Sequence, residues 1–443
     1  MESISNELLL LIAEHVRHVN QRDYFRMLRV CRSWHAFLSP RAYNRISIGH
    51  DQIYPLVRCV YENPNIGAAI RDLDVWWASG SNDGCDVEMV NDAVRRVCDS
   101  PADRKEWKGE LRQGNPDAWF AVLVQSLEAV TSLTLQYSYS DYFIPMLSRM
   151  ANRDPPFNEK PVLQHLERVT VRVEDIKTAY ESSSFLQLFR LPAMRMLEAD
   201  AVYEAHESDS IYPKPDPGTS GIRELRIMGN GSKGMADYIT SCANLEIFDY
   251  DHDNKAVWGE IYLIFHPGAF YAALVTQKHS LRELRLSDHG ETEPENCDDY
   301  DDYDEGNEHF NLFGSLTEFH QLRELCIPVR TLLQFGLGDT PRVSLPDILP
   351  PNLEYLDLYQ CLDKDFDVVM ADLKRVVAQR TERFPNLTKL YIRLLNLEKI
   401  PRPINWWSFE IPVSTHQAFA TLTEICNQSG IDFRLRKSAW LED

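Results

Sequence analysis

Ten times between residues 70 and 392 the chain repeats one arrangement of places: apolar, two others, apolar, one other, apolar. The copies are IRDLDV at 70, VTSLTL at 130, LERVTV at 166, MRMLEA at 194, IRELRI at 222, LEIFDY at 245, LRELRL at 281, LRELCI at 322, LEYLDL at 353 and LTKLYI at 387, of which the copy at 194 is the weakest. Alternation across the fourth to sixth places predicts a short strand whose fourth and sixth side chains share one buried face. The first place closes the turn beneath, and the third, fifth and seventh fall on the opposite face. Between the copies, CDVEMVNDAVRRVCD, PDAWFAVLVQSLEAV, HPGAFYAALVTQKHS and DFDVVMADLKRVVAQRTERF have helical spacing. THQAFATLTEICNQSGIDFRLR reads as a terminal helix and an edge strand. Successive copies lie 23 to 60 residues apart, so the repeat is irregular and carries insertions. Each strand–helix unit leaves its inner face bare until a neighbour stacks on it. The expected fold class is therefore α/β, a solenoid with parallel strands on the concave face and helices outside.

Residues 1–47 follow another rule. Leu8, Ile12 and Val16 recur at spacing four, and Leu9, Leu10 and Leu11 widen that stripe, so the helix must be covered on more than one side. Ser5 is placed to cap it, Glu7 sits in its first turn, and Ile4 with Leu9 can close over the cap. After the polar turn HVNQR, Asp23 is placed to cap a second helical stretch, DYFRMLRVCRSWHAFL, which Pro40 is expected to stop. Leu28, Cys31, Trp34 or His35, and Leu38 fall on one face of it. Fewer than fifty residues cannot bury this much apolar surface alone, which points to a docking face.

Two stretches carry a resemblance. Ile4-Ser5-Asn6-Glu7-Leu8, then Ile12 and Val16, then Val30-Cys31-Arg32-Ser33-Trp34 resemble the F-box, whose pattern is Leu-Pro-x-Glu-Leu, an apolar helix, a gap and Val-Cys-Arg-x-Trp. Ser5 stands where proline is usual and Ile4 where leucine is usual. The resemblance implies a module that docks on the Skp adaptor of a cullin-based ubiquitin ligase. By carry-over, the adaptor-facing residues are Ile4, Leu8, Ile12, Val16, Leu28, Val30, Cys31 and Trp34, with Trp34 as the anchor. The second stretch is 222–230, which reads L-x-x-L-x-L-x-x-N and resembles the leucine-rich repeat. An F-box followed by irregular repeats resembles the F-box/leucine-rich-repeat proteins, and ALVTQKHSLRELRL and RFPNLTKLYI look like filamentous-fungal members. The implied division is an F-box over 1–47 and repeats over 48–443.

The same resemblance assigns a target surface. The third, fifth and seventh places give Glu224, Arg226, Met228, Glu283, Arg285, Ser287, Tyr355, Asp357, Tyr359, Lys389, Tyr391 and Arg393. Aromatic side chains beside charges at such places suit protein recognition. At the ninth place Asn230 and Cys361 suit a side chain that bonds neighbouring turns, whereas His289 and Leu395 do not.

Charge narrows the partners. The formal net charge is −21, which disfavours nucleic acid and anionic membrane. Residues 1–47 run against that trend, with Arg17, Arg22, Arg26, Arg29, Arg32, Arg41 and Arg45 against Glu2, Glu7, Glu14 and Asp23. That excess suits an acidic partner, as the Skp adaptor is in the family. Nine dispersed cysteines with no C-x-x-C pair, no secretory leader and no long apolar run point to the cytosol or nucleus.

Three features invite a chemical reading. Gly229, Gly231 and Gly234 follow the 222 strand in G-x-G-x-x-G spacing with Asp249 about twenty residues on, the outline of a dinucleotide site. Yet IRELRIM carries Arg223, Glu224 and Arg226 where such a strand wants apolar residues on both faces, so a loop at a repeat corner is favoured. The acidic run 291–308 fails the calcium-loop frame, because Tyr303 and Leu312 occupy ligand positions, and reads as a solvated insertion. DHDN at 251 and SDHG at 287 lack a metal-ligand frame and read as surface loops. The expectation is a non-enzymatic substrate receptor without cofactor or metal. A scaffold without ubiquitin transfer and a nucleotide-binding enzyme stand as alternatives.

Overall fold

A computed structural model describes residues 5–76, 85–98, 100–136, 141–173, 179–204, 212–253, 265–288, 312–335, 341–362, 365–394 and 413–437. The chain divides into two compact units, Met1–Asp175 with Arg190–Met196, and Ile176–Phe189 with Leu197–Asp443.

The first unit opens with three helices, α1 (Asn6–Val19), α2 (Gln21–Met27) and α3 (Arg32–Ala42). Ser5 caps α1 as expected, its hydroxyl accepting the Leu8 N–H at 3.3 Å. The second stretch is two helices rather than one. Asn20, not Asp23, caps α2, and the Cys31 sulfur accepts the Trp34 N–H at the start of α3. Asp23 instead pairs with Arg26 one turn on, at 2.6 Å. Pro40 does not stop α3, which runs on to Ala42; a proline near a helix end removes a single rung. Leu9, Ala13, Tyr24, Leu28, Leu38 and Ala42 form a small core shared by the three helices.

Strand β1 (Arg45–Gly49) follows at once and pairs in parallel with β2 (Asp72–Trp76). The division expected at residue 47 therefore cuts a strand. The first unit continues through α4 (Ile53–Glu62), α5 (Pro64–Ala69), α6 (Val87–Val97), α7 (Pro101–Arg112), α8 (Pro116–Gln125), β3 (Ser132–Gln136), α9 (Phe143–Asn152) and β4 (Arg168–Arg172). Strands β2, β3 and β4 pair in parallel in chain order.

The second unit carries β5 (Tyr180–Glu181), β6 (Met196–Tyr203, whose first residue lies in the first unit), β7 (Glu224–Asn230), β8 (Ile247–His252), β9 (Glu283–Asp288), β10 (Glu324–Pro328), β11 (Tyr355–Cys361), β12 (Lys389–Leu394) and β13 (Asp432–Lys437). From β7 to β13 each strand pairs in parallel with the next. Its helices are α10 (Ala236–Ser241), α11 (Pro267–Leu274), α12 (Val329–Leu333), α13 (Leu345–Ile348), α14 (Phe366–Ala378), α15 (Arg380–Arg383) and α16 (Val413–Gln428).

Every predicted strand begins two residues into its copy of the pattern. The first-place residues Ile70, Val130, Leu166, Met194, Ile222, Leu245, Leu281, Leu322, Leu353 and Leu387 are all buried. So are the fourth and sixth places, such as Leu225 with Ile227 and Leu356 with Leu358. Full burial of each such side chain is worth about 1.5–3 kcal/mol. The second place does backbone work. The Arg71 carbonyl accepts both Thr131 N–H (2.8 Å) and Ser132 N–H (3.0 Å), and the Thr131 carbonyl accepts Glu167 (2.8 Å) and Arg168 (3.0 Å). In the second unit the carbonyls of Arg223, Glu246, Arg282, Arg323 and Glu354 each take two consecutive N–H groups from the following repeat in the same way.

On the helix side, polar side chains stitch turns together. Gln277 is buried; its Oε1 accepts Leu245 N–H at 3.0 Å, while Nε2 donates to the carbonyls of Ile239 (3.0 Å) and Cys242 (2.9 Å). Buried Asp117 likewise accepts the N–H groups of Tyr142 (2.7 Å) and Phe143 (3.1 Å) at the start of α9. Replacing Gln277 with Leu removes the partner of Leu245 N–H and the Gln277 donor to the Cys242 carbonyl, while the Ile239 carbonyl keeps Cys242 N–H, and should cost about 2–4 kcal/mol, since each orphaned buried group costs about 1–3. The expected readout is a lower urea midpoint with faster hydrogen exchange at the Leu245 amide. An unchanged midpoint would remove Gln277 from the account of how these turns are joined.

Candidate protein-binding surfaces

The register aligns the open face of the second unit in rows. One row runs Arg226, Asp249, Arg285, Cys326, Asp357, Tyr391, Arg434 across β7 to β13. The row on one side begins Glu224, Ile247, Glu283, Glu324, Tyr355, Lys389, Asp432. On the other, Met228 aligns with Asp251 and Asp251 with Ser287, while Pro328 aligns with Tyr359. The target-surface residues from the sequence thus share one face. Ile247, Asp249, Asp251, Cys326, Asp432 and Arg434 lie on it too and were missed. Applying the third, fifth and seventh places to LEIFDY would have found the first three.

Sharing a face is not the same as being open. Asp357 is completely buried and Tyr391 is 7% exposed. Arg393 Nη2 lies 2.7 Å from Asp357 Oδ2, and Arg393 Nε donates to the same carboxylate at 3.1 Å. The Tyr355 hydroxyl donates to Asp357 Oδ2 at 2.7 Å. Tyr391 donates to Asp432 at 3.1 Å, stands edge-on to Tyr355 with centroids 5.1 Å apart, and has the Arg434 guanidinium 5.6 Å from its ring centre. Asp357 and Tyr391 therefore position Arg393, Tyr355 and Arg434 rather than offering themselves to a partner. Glu224, Arg226, Met228, Glu283, Arg285, Ser287, Tyr355, Tyr359 and Arg393 are half-buried, and Lys389 is exposed.

Further along, Arg226 pairs with Glu224 at 2.6 Å and lies 3.6 Å from Asp249. Arg285 reaches Glu324 at 3.5 Å. Ser287 donates to Asp251 at 2.6 Å. Burial pushes the Asp249 carboxyl up, against the pull of Arg285 and Arg226. Burial, aided by Asp357, pushes the Cys326 thiol up to about 12, so it stays protonated and a poor nucleophile.

The glycine-rich loop is closed from within. Lys233 N–H donates to Glu204 Oε2 at 2.7 Å, and Gly231 N–H donates to the Tyr250 hydroxyl at 2.8 Å. Burial raises the Glu204 carboxyl, and the backbone donors of Lys233 and Met235 oppose that rise. A carboxylate of the chain itself thus occupies the place of the phosphate that the dinucleotide outline would need. The glycines serve packing. A Cβ on Gly229 would lie 2.2 Å from the Val202 carbonyl oxygen, and Gly234, with φ +71°, would set one 2.4 Å from Phe270 N. Asp249, the acid of that outline, sits on the open face beside Arg226. Of the two ninth-place residues, Asn230 is fully buried and the Cys361 sulfur lies 3.8 Å from the Leu362 carbonyl. His252 is not a surface-loop residue; it is buried in β8 with Nδ1 2.9 Å from the Tyr250 hydroxyl.

The N-terminal helices split the adaptor-facing residues in two. Leu8 (55% exposed), Ile12 (44%) and Val30 (62%) stand open, together with Leu11 and Val19. Cys31 is also exposed, but its sulfur is the α3 cap. Leu28 is a core residue at 6% exposure, and Val16 and Trp34 are half-buried against that core. Leu28 is thus corrected from surface to core, because it is one of few residues that can fill the space between the three helices. Ile4, the run 291–308, His289 and Leu395 lie outside the described residues.

Among the described residues no cluster of His, Cys, Asp or Glu could hold a metal ion, and no helix is long and apolar enough to cross a membrane. The leucine-rich repeat domain, as a family, matches residues 71–399, from one residue after Ile70 to beyond β12. A search of curated proteins found no match to the chain.

Two measurements probe this face. Removing Arg393 strands a buried carboxylate, whereas removing Asp357 leaves a guanidinium that is 39% exposed and can be solvated. Arg393→Ala should therefore cost about 3–5 kcal/mol and Asp357→Asn distinctly less, in denaturant titrations joined as a double-mutant cycle; the reverse order would contradict the burial argument. For Asp249 the folded-state carboxyl lies above its unfolded value. Its contribution is present at low pH and is lost as pH rises through the folded value. Asp249→Asn should then match or exceed the parent's stability at pH 7, with the difference shrinking as pH falls towards the carboxylate range. A clear loss at pH 7 would show that the arginines outweigh burial.

Proposed function

The chain belongs to the leucine-rich repeat family, and we propose that it is the substrate-recognition adaptor of a Skp–cullin–F-box ubiquitin ligase. On this reading α1 to α3 dock on the Skp adaptor, and the open face of β7 to β13 holds a target protein through Glu224, Arg226, Met228, Glu283, Arg285, Tyr355, Tyr359, Lys389 and Arg393, with Asp357 and Tyr391 behind them. The repeats support the coarser half, a protein-interaction module. The finer half is supported by the likeness of residues 4–34 to the F-box pattern and by one observation above others. Leu8, Leu11, Ile12 and Val19 lie open on α1, and Val30 lies open in the turn between α2 and α3, beside a shared core of only six residues. Apolar surface left open beside so small a core marks an interface. The exposed arginines Arg22, Arg26 and Arg32 on the helices, with Arg29 in the turn between α2 and α3, favour an acidic partner.

Such a chain performs no bond chemistry. It holds the target beside a charged ubiquitin-conjugating enzyme and raises the effective concentration of target lysines, which turns a bimolecular encounter into an intramolecular one. Cytosol or nucleus is the compartment this reading requires.

The test follows from the exposure values. Leu8→Asp with Val30→Asp alters open side chains and leaves the core intact, unlike any change at Leu28 or Trp34. Each should cost about 2 kcal/mol or more of adaptor binding if it lies at the centre of the interface. Co-purification of the full chain with the Skp adaptor should be lost while its melting temperature holds. Retained co-purification would defeat the ligase reading and leave α1 to α3 as a cap on the repeats.

A further inference from the structure

Four helices of the first unit leave a cavity of about 310 Å³ between them, and we infer that it binds an uncharged, largely apolar small molecule carrying an amide, carbonyl or hydroxyl group. Its walls come from α4, α5, α6, α8 and the turn after α8, with Lys160 at the rim and no strand residue in the lining. A volume of about 300 Å³ lies at the small end of the range for ligand pockets. Neither surface assigned above to a protein partner contributes to it, so the site does not rest on the ligase reading.

The floor is apolar. Val57, Val60, Met89, Ala93 and Val122 keep 4–6% exposure, whereas Ile53, Val90, Val97, Leu123 and Val124 on the same helices have none. That residue of exposure is what a gap above the first five side chains leaves. Small residues make the gap. Ala68 on α5 and Ala93 on α6 end at Cβ. Gly67 lets α5 sit so close to the end of α8 that a Cβ there would lie 2.6 Å from the Ser126 carbonyl oxygen.

The rim sets the ligand's charge. Four charged residues line it, and they cancel in pairs. Arg96 Nη2 lies 2.7 Å from Asp92 Oδ2, and Lys160 Nζ lies 2.5 Å from Glu128 Oε1. Arg96 also lies over the Tyr61 ring, 5.5 Å from its centre. An anion or a cation entering here would meet as many like charges as opposite ones and would lose hydration of its own. The groups left unmatched are neutral. The Tyr61 hydroxyl, the Asn65 amide and the Ser126 hydroxyl have no hydrogen-bond partner among the described residues. Gln125 uses only its Nε2, on the Ala121 carbonyl at 3.4 Å, and keeps its oxygen free as an acceptor. A few placed donors and acceptors above an apolar floor suit a neutral molecule with one polar end.

The probe is prodan, a neutral naphthalene dye with one carbonyl acceptor, titrated with the full chain and followed by its emission. It should bind saturably and raise the melting temperature, as a ligand of the folded state does. Ala93→Phe, which fills the floor, should weaken binding about tenfold or more. Asn65→Trp blocks the mouth from an exposed position and should do the same, so it carries the test if Ala93→Phe lowers the melting temperature. Leu8→Asp with Val30→Asp should leave binding unchanged, as should Asn44→Trp in the adjoining groove that shares Asn65 and Ala68. Naphthamide should displace the dye at about a tenfold lower concentration than naphthoate or naphthylmethylammonium. Ser126→Ala with Gln125→Met should erase most of that preference. No saturable binding, or undiminished binding by Ala93→Phe or Asn65→Trp, overturns the site. Loss of binding in the Leu8/Val30 variant or in Asn44→Trp places the dye elsewhere and overturns it as well. Equal displacement by the charged naphthalenes, or a preference that survives the Ser126/Gln125 variant, overturns the neutral ligand class.

Discussion

In eight of the ten copies the backbone carbonyl at the second place accepts two consecutive N–H groups from the next repeat, and that shared acceptor marks where the following strand begins. A slip by one residue would turn the buried fourth and sixth side chains to the open face, so apolar burial penalises it strongly. The forked contact marks the resulting alignment at the strand entry. It also explains why the second place is polar throughout. Arg223, Arg282 and Arg323 hold their carbonyls at the sheet's end with their side chains in solvent. Their ion pairs, Arg223 to Glu246 at 2.9 Å and Arg323 to Glu354 at 3.2 Å, lie at the surface and contribute about 0–1 kcal/mol each. Register is therefore set by apolar burial at the first, fourth and sixth places and closed by main-chain contacts at the strand entries.

Once register is fixed, the open face becomes a grid. Residues far apart in sequence become neighbours by arithmetic: Arg226 beside Asp249, Asp249 beside Arg285, Asp357 beside Tyr391. The grid also decides which charges end up buried. Asp357 has no exposure because Tyr355, Arg393 and Tyr391 close around it, and Arg393 pays for that burial with a double contact to its carboxylate. The same chemistry near the grid's edge, Asp432 with Arg434, stays open to solvent at 43% and 56% exposure.

Much of this was legible in the residues, because strand period and burial act locally. The ten copies of the pattern mark ten strands, and CDVEMVNDAVRRVCD and PDAWFAVLVQSLEAV became α6 and α8. Strand β1 escaped because Tyr43 stands where the first-place leucine would be, and a domain division was set across it. The helix break at Leu28–Cys31 escaped because a cysteine sulfur is an unusual cap. Openness within the face was not legible at all. No rule of spacing tells that Asp357 is sealed while Glu283 is half-open, since that depends on side chains from two adjacent strands. The same limit applied to the glycine loop, where Glu204 reaches the Lys233 N–H from twenty-nine residues earlier in the chain.

A repeat protein of this design separates what holds it together from what it recognises. The inner places are constrained to leucine-like residues, whereas the open places can change with little effect on the core. Charges on those places then divide into two kinds. A cation that finds an acid on its own face adds shape and little net field, as Arg226 and Arg285 do. A cation without one projects its full charge. In a chain with 67 acidic residues against 46 lysines and arginines, an arginine on a sheet face meets an acid easily, and five of those faces' arginines do. Recognition on this scaffold is thus encoded less by which charged residues are present than by how the register pairs them.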